Sequence, residues 1–176
     1  MQGVGGVGYH LCRLLAAEGA RLFVADVRPT AVERVRDEFK ATPVTTDAVL
    51  TQEADVFAPC ALGAIFNAQS IPRLRAKVIA GAANNQLAED KDGELLQQAG
   101  ILYAPDYVIN AGGIISVSHE YYGGSSDARI DADIQGIPAR LYEIFERARR
   151  ESRTTNAIAD QMARERISAA SRRLVA

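Results

Sequence analysis

The sequence predicts an α/β fold, a doubly wound parallel sheet with a truncated first strand, followed by C-terminal helices. Short apolar runs alternate with amphipathic helical segments as far as residue 104, joined by short connections. Those runs are nearly continuous in apolar character, as strands covered on both faces are. After residue 110 the pattern is helical only.

The chain opens MQGVGGVGYHLCRLLAAEGARLFVAD, so Met1 and Gln2 alone stand before a glycine-rich turn. Val7, Leu11, Leu14 and Leu15 follow helical spacing from Gly6 to Glu18, and Gly19 caps that helix. Arg21 to Asp26 reads as a short buried strand ending in an acid. A helix over 30–40 carries Val32, Val35 and Phe39 on one side. Val44 to Thr46 is a weak strand, and Asp55 to Ala58 a firmer one stopped by Pro59. Ile71 to Leu74 suits a short helix, and Lys77 to Gly81 another buried strand. Glu89 to Ala99 is a helix closed by Gly100, and Ile101 to Ala104 is the last strand. Beyond it, Ile130, Ile134, Ile137, Leu141, Ile144 and Ala148 form one helical stripe. Pro138 inside that stripe either kinks the helix or marks its true start. Ala159, Ala163, Ile167, Ala170 and Leu174 form a second stripe, with a turn expected in 149–156 and a flexible joint at 123–126. We expect an α/β region over 1–113 and a helical region over 114–176 that packs on it as one structural domain.

At 176 residues the chain has room for one domain with a real core. It is 48% hydrophobic and 24% charged, as ordinary globular chains are. A net charge of −2 argues against a nucleic-acid or anionic-membrane surface. No apolar run is long enough to span a bilayer, and no signal peptide opens the chain. Cys12 and Cys60 match no metal spacing and read as reduced thiols of a cytoplasmic protein. The two histidines, His10 and His119, leave no basis for a histidine-rich metal site.

Gly3, Gly5 and Gly8 spell G-x-G-x-x-G. A helix follows at once, so its amides and dipole can face a pyrophosphate. A strand then ends at Asp26, 18 residues past Gly8, where a carboxylate meets the adenosine ribose hydroxyls. The alternative is a tight turn with a surface aspartate. Asp26 favours NAD over NADP, because a carboxylate repels a 2′-phosphate; Arg28 works against that preference. Three further loops follow strands at the edge where such sheets bind ligands: 58–63, 81–87 and 105–113. Their small residues let backbone approach a flat ligand, or else ease packing, with the asparagines as helix caps.

Gly3 to Gly8 with Tyr9-His10-Leu11-Cys12, then APCALG, AGAANNQL and ILYAPDYVINAGG, together resemble the Glu/Leu/Phe/Val dehydrogenase family, nearest its leucine and valine branch. The resemblance runs to Ile167 and implies the C-terminal, Rossmann-like NAD-binding domain of an amino-acid dehydrogenase. Such enzymes oxidatively deaminate an L-amino acid to its 2-oxo acid and ammonia. By resemblance Gly3, Gly5, Gly6, Val7 and Gly8 hold the pyrophosphate, and Asp26 with Val27 meets the adenosine ribose. Cys60, Ala61, Leu62, Ala82, Ala83 and Asn84 line the cofactor, and Asn110 sits by nicotinamide and substrate. Ile134 and Ile137 shape the side-chain pocket, whose apolar character favours a branched aliphatic amino acid. No metal is implied, and the whole enzyme is a homo-oligomer. The sequence departs from the family at Gly136-Ile137-Pro138-Ala139, where Gly-Ile-Tyr-Asp is usual, at His119 to Tyr122, which replace an acidic pair and a leucine, and at Arg153-Thr154, where a Gly-Ile-Pro turn is common.

In the family the base and the cation that holds the substrate carboxylate come from an N-terminal domain, which we expect to be absent from this chain. Lys40, Lys77 and Lys91 sit in amphipathic or connecting segments and read as solvated, and His10 and His119 as structural. The chain is therefore expected to be a fragment, inactive alone, with an unfilled slot between the strands at 22–26 and 55–58. A stand-alone nucleotide-binding module and a remnant that does not fold stay open as alternatives.

Overall fold

A computed structural model describes residues 1–123 and 126–174. Gly124 and Ser125 of the expected joint, and the Leu174 side chain, lie outside the described residues. Contacts divide the chain into two compact units, Met1–Asp106 and Tyr107–Ala176.

The first unit holds β1 (Phe23–Val24), β2 (Thr42–Pro43), β3 (Ala54–Phe57), β4 (Ala76–Ile79) and β5 (Leu102–Tyr103). Its helices are α1 (Gly6–Ala17), α2 (Pro29–Phe39) and α3 (Asp92–Gln98), with single 3₁₀ turns at Val49–Thr51 and Ile71–Arg73. β3 matches its run in length, one residue earlier, and the other strands are shorter than the runs that announce them. β2 pairs one residue earlier than the weak run at Val44, with Phe23 opposite Thr42 and Val24 opposite Pro43. A proline is tolerated there at a sheet edge. All strand pairs are parallel: β1 with β2, β3 with β4, and β4 with β5.

The expected empty slot is filled at the level of the loops. Gln2 bridges Ala25 on one side and Pro59 on the other, both parallel. The Ala25 amide donates to the Met1 carbonyl at 3.1 Å, and the Gly3 amide to the Ala25 carbonyl at 2.7 Å. Opposite, the Gln2 amide donates to Ala58 at 3.0 Å, and the Cys60 amide to Gln2 at 2.7 Å. Residues 1–3 thus act as a central strand, giving the order β2-β1-(1–3)-β3-β4-β5. That is the doubly wound dinucleotide order 3-2-1-4-5-6, with a topological switch point beside residues 1–3.

Two clusters fill the first unit. Phe57, Phe66, Ile79, Leu96 and Tyr103 pack under one half of the sheet, with Phe66 edge-on to Phe57 and Tyr103. Val4, Cys12, Val24 and Val35 pack under the other. Val32 and Phe39 of α2 lean on that cluster, as their spacing predicts. On α1 the buried face is Gly8 and Cys12, whereas Val7 and Leu14 face outward, 61% and 57% exposed. Helical spacing fixes which residues share a face; here the small pair lies against the sheet.

The second unit is helical: α4 (Asp106–Ile109), which begins on the last residue of the first unit, α5 (Gly112–Tyr122), α6 (Asp127–Gln135), α7 (Ile137–Glu151) and α8 (Thr155–Leu174). The long stripe breaks at Gly136, and Pro138 falls in the first turn of α7, where its missing amide costs nothing. Ile137, Leu141, Ile144 and Ala148 are buried, while Ile130 and Ile134 on α6 are half-buried. Ile144 and Ala148 pack on Ile158, Ala159 and Met162, so α8 buries a face offset from its expected stripe and leaves Ile167 67% exposed. The turn after α7 is Ser152, in left-handed conformation at φ 53°. The Tyr107 hydroxyl ties α4 to α8, donating to the Asp160 carboxylate at 2.6 Å.

Gly81, just after β4, is closely packed: an added Cβ would lie 2.3 Å from the Pro59 carbonyl oxygen. Gly81→Ala should therefore destabilise the chain by about 1–3 kcal/mol through overpacking. Gly6→Ala, whose Cβ meets nothing within 4 Å, should stay within about 0.5 kcal/mol. Urea midpoints of the two variants check the contrast.

Candidate functional site

The glycine turn is shaped by close approach. Gly3 holds φ +88°, a left-handed value that disfavours a side chain, and its missing Cβ would sit 2.7 Å from the Ala61 Cβ. At Gly8 an added Cβ would lie 2.1 Å from the Gly3 carbonyl oxygen, so the first turn of α1 presses on the loop. Gly5 is the N-cap and offers no side chain to the amides of that turn. Those amides have no partner within the helix. With open space beside Gly6, the start of α1 is a bare, positively polarised end suited to an anion.

Asp26 stands at the end of β1 and latches this turn. Its Oδ2 accepts the Val4 amide at 2.8 Å, and its Oδ1 accepts the Arg28 amide at 2.9 Å and Arg28 Nε at 3.3 Å. Burial opposes the charge, but the Arg28 and Val4 amides and the Arg28 guanidinium prevail and hold the Asp26 carboxyl below its ordinary value. Three donors leave the carboxylate at least one acceptor position.

The loops after β3 and β4 interlock through backbone. The Ala83 amide donates to the Pro59 carbonyl at 2.9 Å, and the Ala64 amide to the Asn85 carbonyl at 2.6 Å. An added Cβ at Gly63 would lie 2.6 Å from the Asn84 carbonyl oxygen. Burial pushes the Cys60 thiol above its ordinary value, against the Ala82 amide that donates to it. The thiol is neutral at physiological pH and stands as a small lining residue. Gln86 is fully buried and donates to the Gly81 and Ala83 carbonyls, both at 2.9 Å. Asp106 closes the system: it accepts the Asn85 amide at 2.7 Å and the Tyr103 hydroxyl at 2.6 Å.

Of the residues singled out in the sequence, Gly3, Gly8, Cys60 and Ala61 come together directly. Gly5, Gly6 and Asp26 border the same turn, and Ala82, Ala83 and Asn84 follow β4 one strand further. Val7, Val27 and Leu62 are exposed, at 61%, 86% and 73%. Asn110 lies between α4 and α5 in the second unit, with Ile134 half-buried and Ile137 buried there. Sequence reasoning passed over Gln86 and Asp106 as loop locks, and Tyr9, Thr30 and Arg34, which with Arg28 border a cavity of about 480 Å³ beside Gly5 and Gly6. An acid just after a strand and a glutamine amid small residues are the signals that could have found the locks. Among the described residues no three His, Cys, Asp or Glu side chains are grouped to hold a metal. None of the described helices is long and apolar enough to cross a membrane.

Because Asp26 has a lowered pKa when folded, its contribution is full above the ordinary aspartate value of about 3.9 and is lost as pH falls through the folded value. Asp26→Asn should cost about 1–3 kcal/mol at neutral pH. Its deficit against the native chain should shrink below about pH 4. Denaturant unfolding at stepped pH checks this, and a deficit independent of pH would count against the charged latch.

The family model described as Glutamate/Leucine/Phenylalanine/Valine dehydrogenase matches residues 24–173. The leucine dehydrogenases of Bacillus cereus and Geobacillus stearothermophilus are 47% and 49% identical to it over 95% of the chain. The chain spans 45% of the length of each. A solved structure of L-tryptophan dehydrogenase from Nostoc punctiforme superposes with a TM-score of 0.93 at 44% identity, covering 97% of this chain and 51% of that one. A glutamate dehydrogenase from Thermus thermophilus, at 21% identity and TM-score 0.72, shares the fold. Family members are oxidoreductases that depend on a nicotinamide cofactor. With its order of strands, its glycine turn and these matches, the chain belongs to the Glutamate/Leucine/Phenylalanine/Valine dehydrogenase family.

Proposed function

We propose that the first unit binds NAD within an amino-acid dehydrogenase that oxidatively deaminates a branched-chain L-amino acid, such as leucine or valine, to its 2-oxo acid and ammonia. The observation that carries this reading is the bare start of α1 at Gly5 and Gly6, latched by Asp26. The cradle fits the cofactor: Gly3 and Gly8 keep side chains out of the turn, so the amides of Gly6, Val7 and Gly8 face a pyrophosphate. Asp26 accepts from an adenosine ribose hydroxyl at its open position, beside Val27. Cys60, Ala61, Leu62, Ala82, Ala83 and Asn84 present small or amide side chains to the rest of the dinucleotide. Asn110 orients nicotinamide and substrate through its amide, and Ile134 and Ile137 give the side-chain pocket its apolar character. A bound nicotinamide would supply a hydride acceptor for the amino-acid α-carbon.

The chain's lysines offer no base. Lys40, Lys77 and Lys91 are exposed, Lys77 and Lys91 paired to Asp55 and Glu89 at 3.2 and 2.8 Å. A catalytic lysine needs a desolvated pocket. This favours the reading in which these residues hold the cofactor and the proton chemistry is supplied by groups beyond them. The same reading makes the whole enzyme a cytoplasmic homo-oligomer.

Calorimetric titration of the 176-residue chain with NAD should give a dissociation constant in the micromolar range, about −8 kcal/mol at 1 μM. The same chain with leucine or valine should form no NADH. A folded chain with no NAD heat would contradict the cofactor reading, and turnover would contradict the assignment of the proton chemistry elsewhere.

A further inference from the structure

We propose that the cavity between α4, α7 and α8 of the second unit binds a monocarboxylate with a short alkyl chain. Its carboxylate lies on Arg140 and Arg166, and its chain on the stripe of Ala159, Ala163 and Ile167. The inference stands whatever the glycine turn binds. The cavity measures about 290 Å³, at the small end of ligand pockets. Val108 borders it from α4, Ile144 from α7 and Met162 from α8. None of Asn110, Ile134 and Ile137 lines it.

Helical spacing puts Ala159, Ala163 and Ile167 on one face of α8, yet the core takes only Ala159 of the three. Ala163 is exposed, and so is most of Ile167. All three line the cavity, so the part of the stripe that the core leaves over is its apolar wall. The two alanines leave the room, and Met162 supplies a surface that adapts to alkyl shape. The floor is apolar, since Ile144 and Met162 are buried in the core of the unit. Such a cavity gains by taking alkyl surface from water.

Two guanidinium groups border the same space, and among the described residues no carboxylate lines it. Arg140 falls between Ile137 and Ile144 at helical spacing, on the buried side of α7. Its Nε is buried and has no hydrogen-bond partner among the described residues. A buried charged donor without an acceptor is costly, and a carboxylate oxygen supplies one. Asp133, which shares a neighbouring cavity with Arg140, is engaged by His119 at 2.6 Å. Asp160 is engaged by the Tyr107 hydroxyl, also at 2.6 Å. Arg166 lies on the exposed side, 4.0 Å from Glu143, at the limit of an ion pair. A neutral ligand satisfies neither cation, and an inorganic anion leaves the apolar wall unused. A carboxylate on an alkyl chain meets both.

Calorimetric titration of the 176-residue chain with butanoate, hexanoate and octanoate tests this. Affinity should rise about two- to fourfold per added methylene, and octanoate should bind at least about tenfold more tightly than octan-1-ol. Arg140→Gln should weaken octanoate binding at least about tenfold, and Arg166→Gln about threefold. Ala163→Phe fills the cavity from an exposed position and should abolish binding. Circular dichroism checks that each variant folds; should Arg140→Gln unfold, Ala163→Phe and Arg166→Gln carry the test. The proposal is overturned by a folded chain that binds no octanoate, by affinity independent of chain length, or by folded variants that bind as the native chain does. Sedimentation velocity tests the other occupant: self-association that Ala163→Phe abolishes would assign the groove to a second copy of the chain and overturn the proposal too.

Discussion

The first unit depends on the pairing of residues 1–3 between β1 and β3. Each side of this short segment exchanges backbone hydrogen bonds, to Ala25 on one side and to Ala58 and Cys60 on the other. Without them the strands form two separate parallel sheets of two and three strands. With them the sheet is continuous, and the loops after β1, β3 and β4 open on one edge. Parallel sheets bind ligands at that edge, where the strand order reverses and helix starts point into the crevice. Position and polarity of the site are thus consequences of strand pairing.

Backbone, more than side chains, makes the binding surface. Gly3, Gly8, Gly63 and Gly81 each stand where a Cβ would press on a neighbouring carbonyl or on Ala61. Their closeness packs the turn against the 58–63 loop and that loop against 81–86. Three polar side chains serve this packing: Asp26 latches the turn to β1, Gln86 holds Gly81 and Ala83, and Asp106 holds Asn85. Each satisfies amides or carbonyls that a close-packed loop would otherwise strand. The frame leaves the start of α1 uncovered beside Gly6, and this is a feature a charged ligand can use.

Much of this was legible in the sequence, because glycine spacing, strand-terminal acid and helix stripe are local signals. The α/β alternation, the turn at Gly3 to Gly8 and the break at Pro138 follow directly from residue type. Less local features were hidden. The exposure of Val7 and Leu14 turns on Gly8 and Cys12 lying against the sheet, which periodicity alone does not reveal. The same ambiguity rotated α8, whose core contacts come from Ile158 and Met162 rather than Ala163 and Ile167. The slot expected beside β1 was an error of length: a strand of three residues still makes both sets of bonds. The wall of Arg28, Thr30 and Arg34 joins the start of α2 to that of α1, and no spacing rule encodes it.

Amide hydrogen exchange with and without NAD tests the central claim most directly, since it reads backbone protection along the whole first unit. Binding at the bare start of α1 predicts slowed exchange in residues 3–9, 26–31, 60–62 and 82–84, with little change in the second turn of α3. Protection confined to other segments, or none under saturating NAD, would contradict a cofactor site built on the glycine turn.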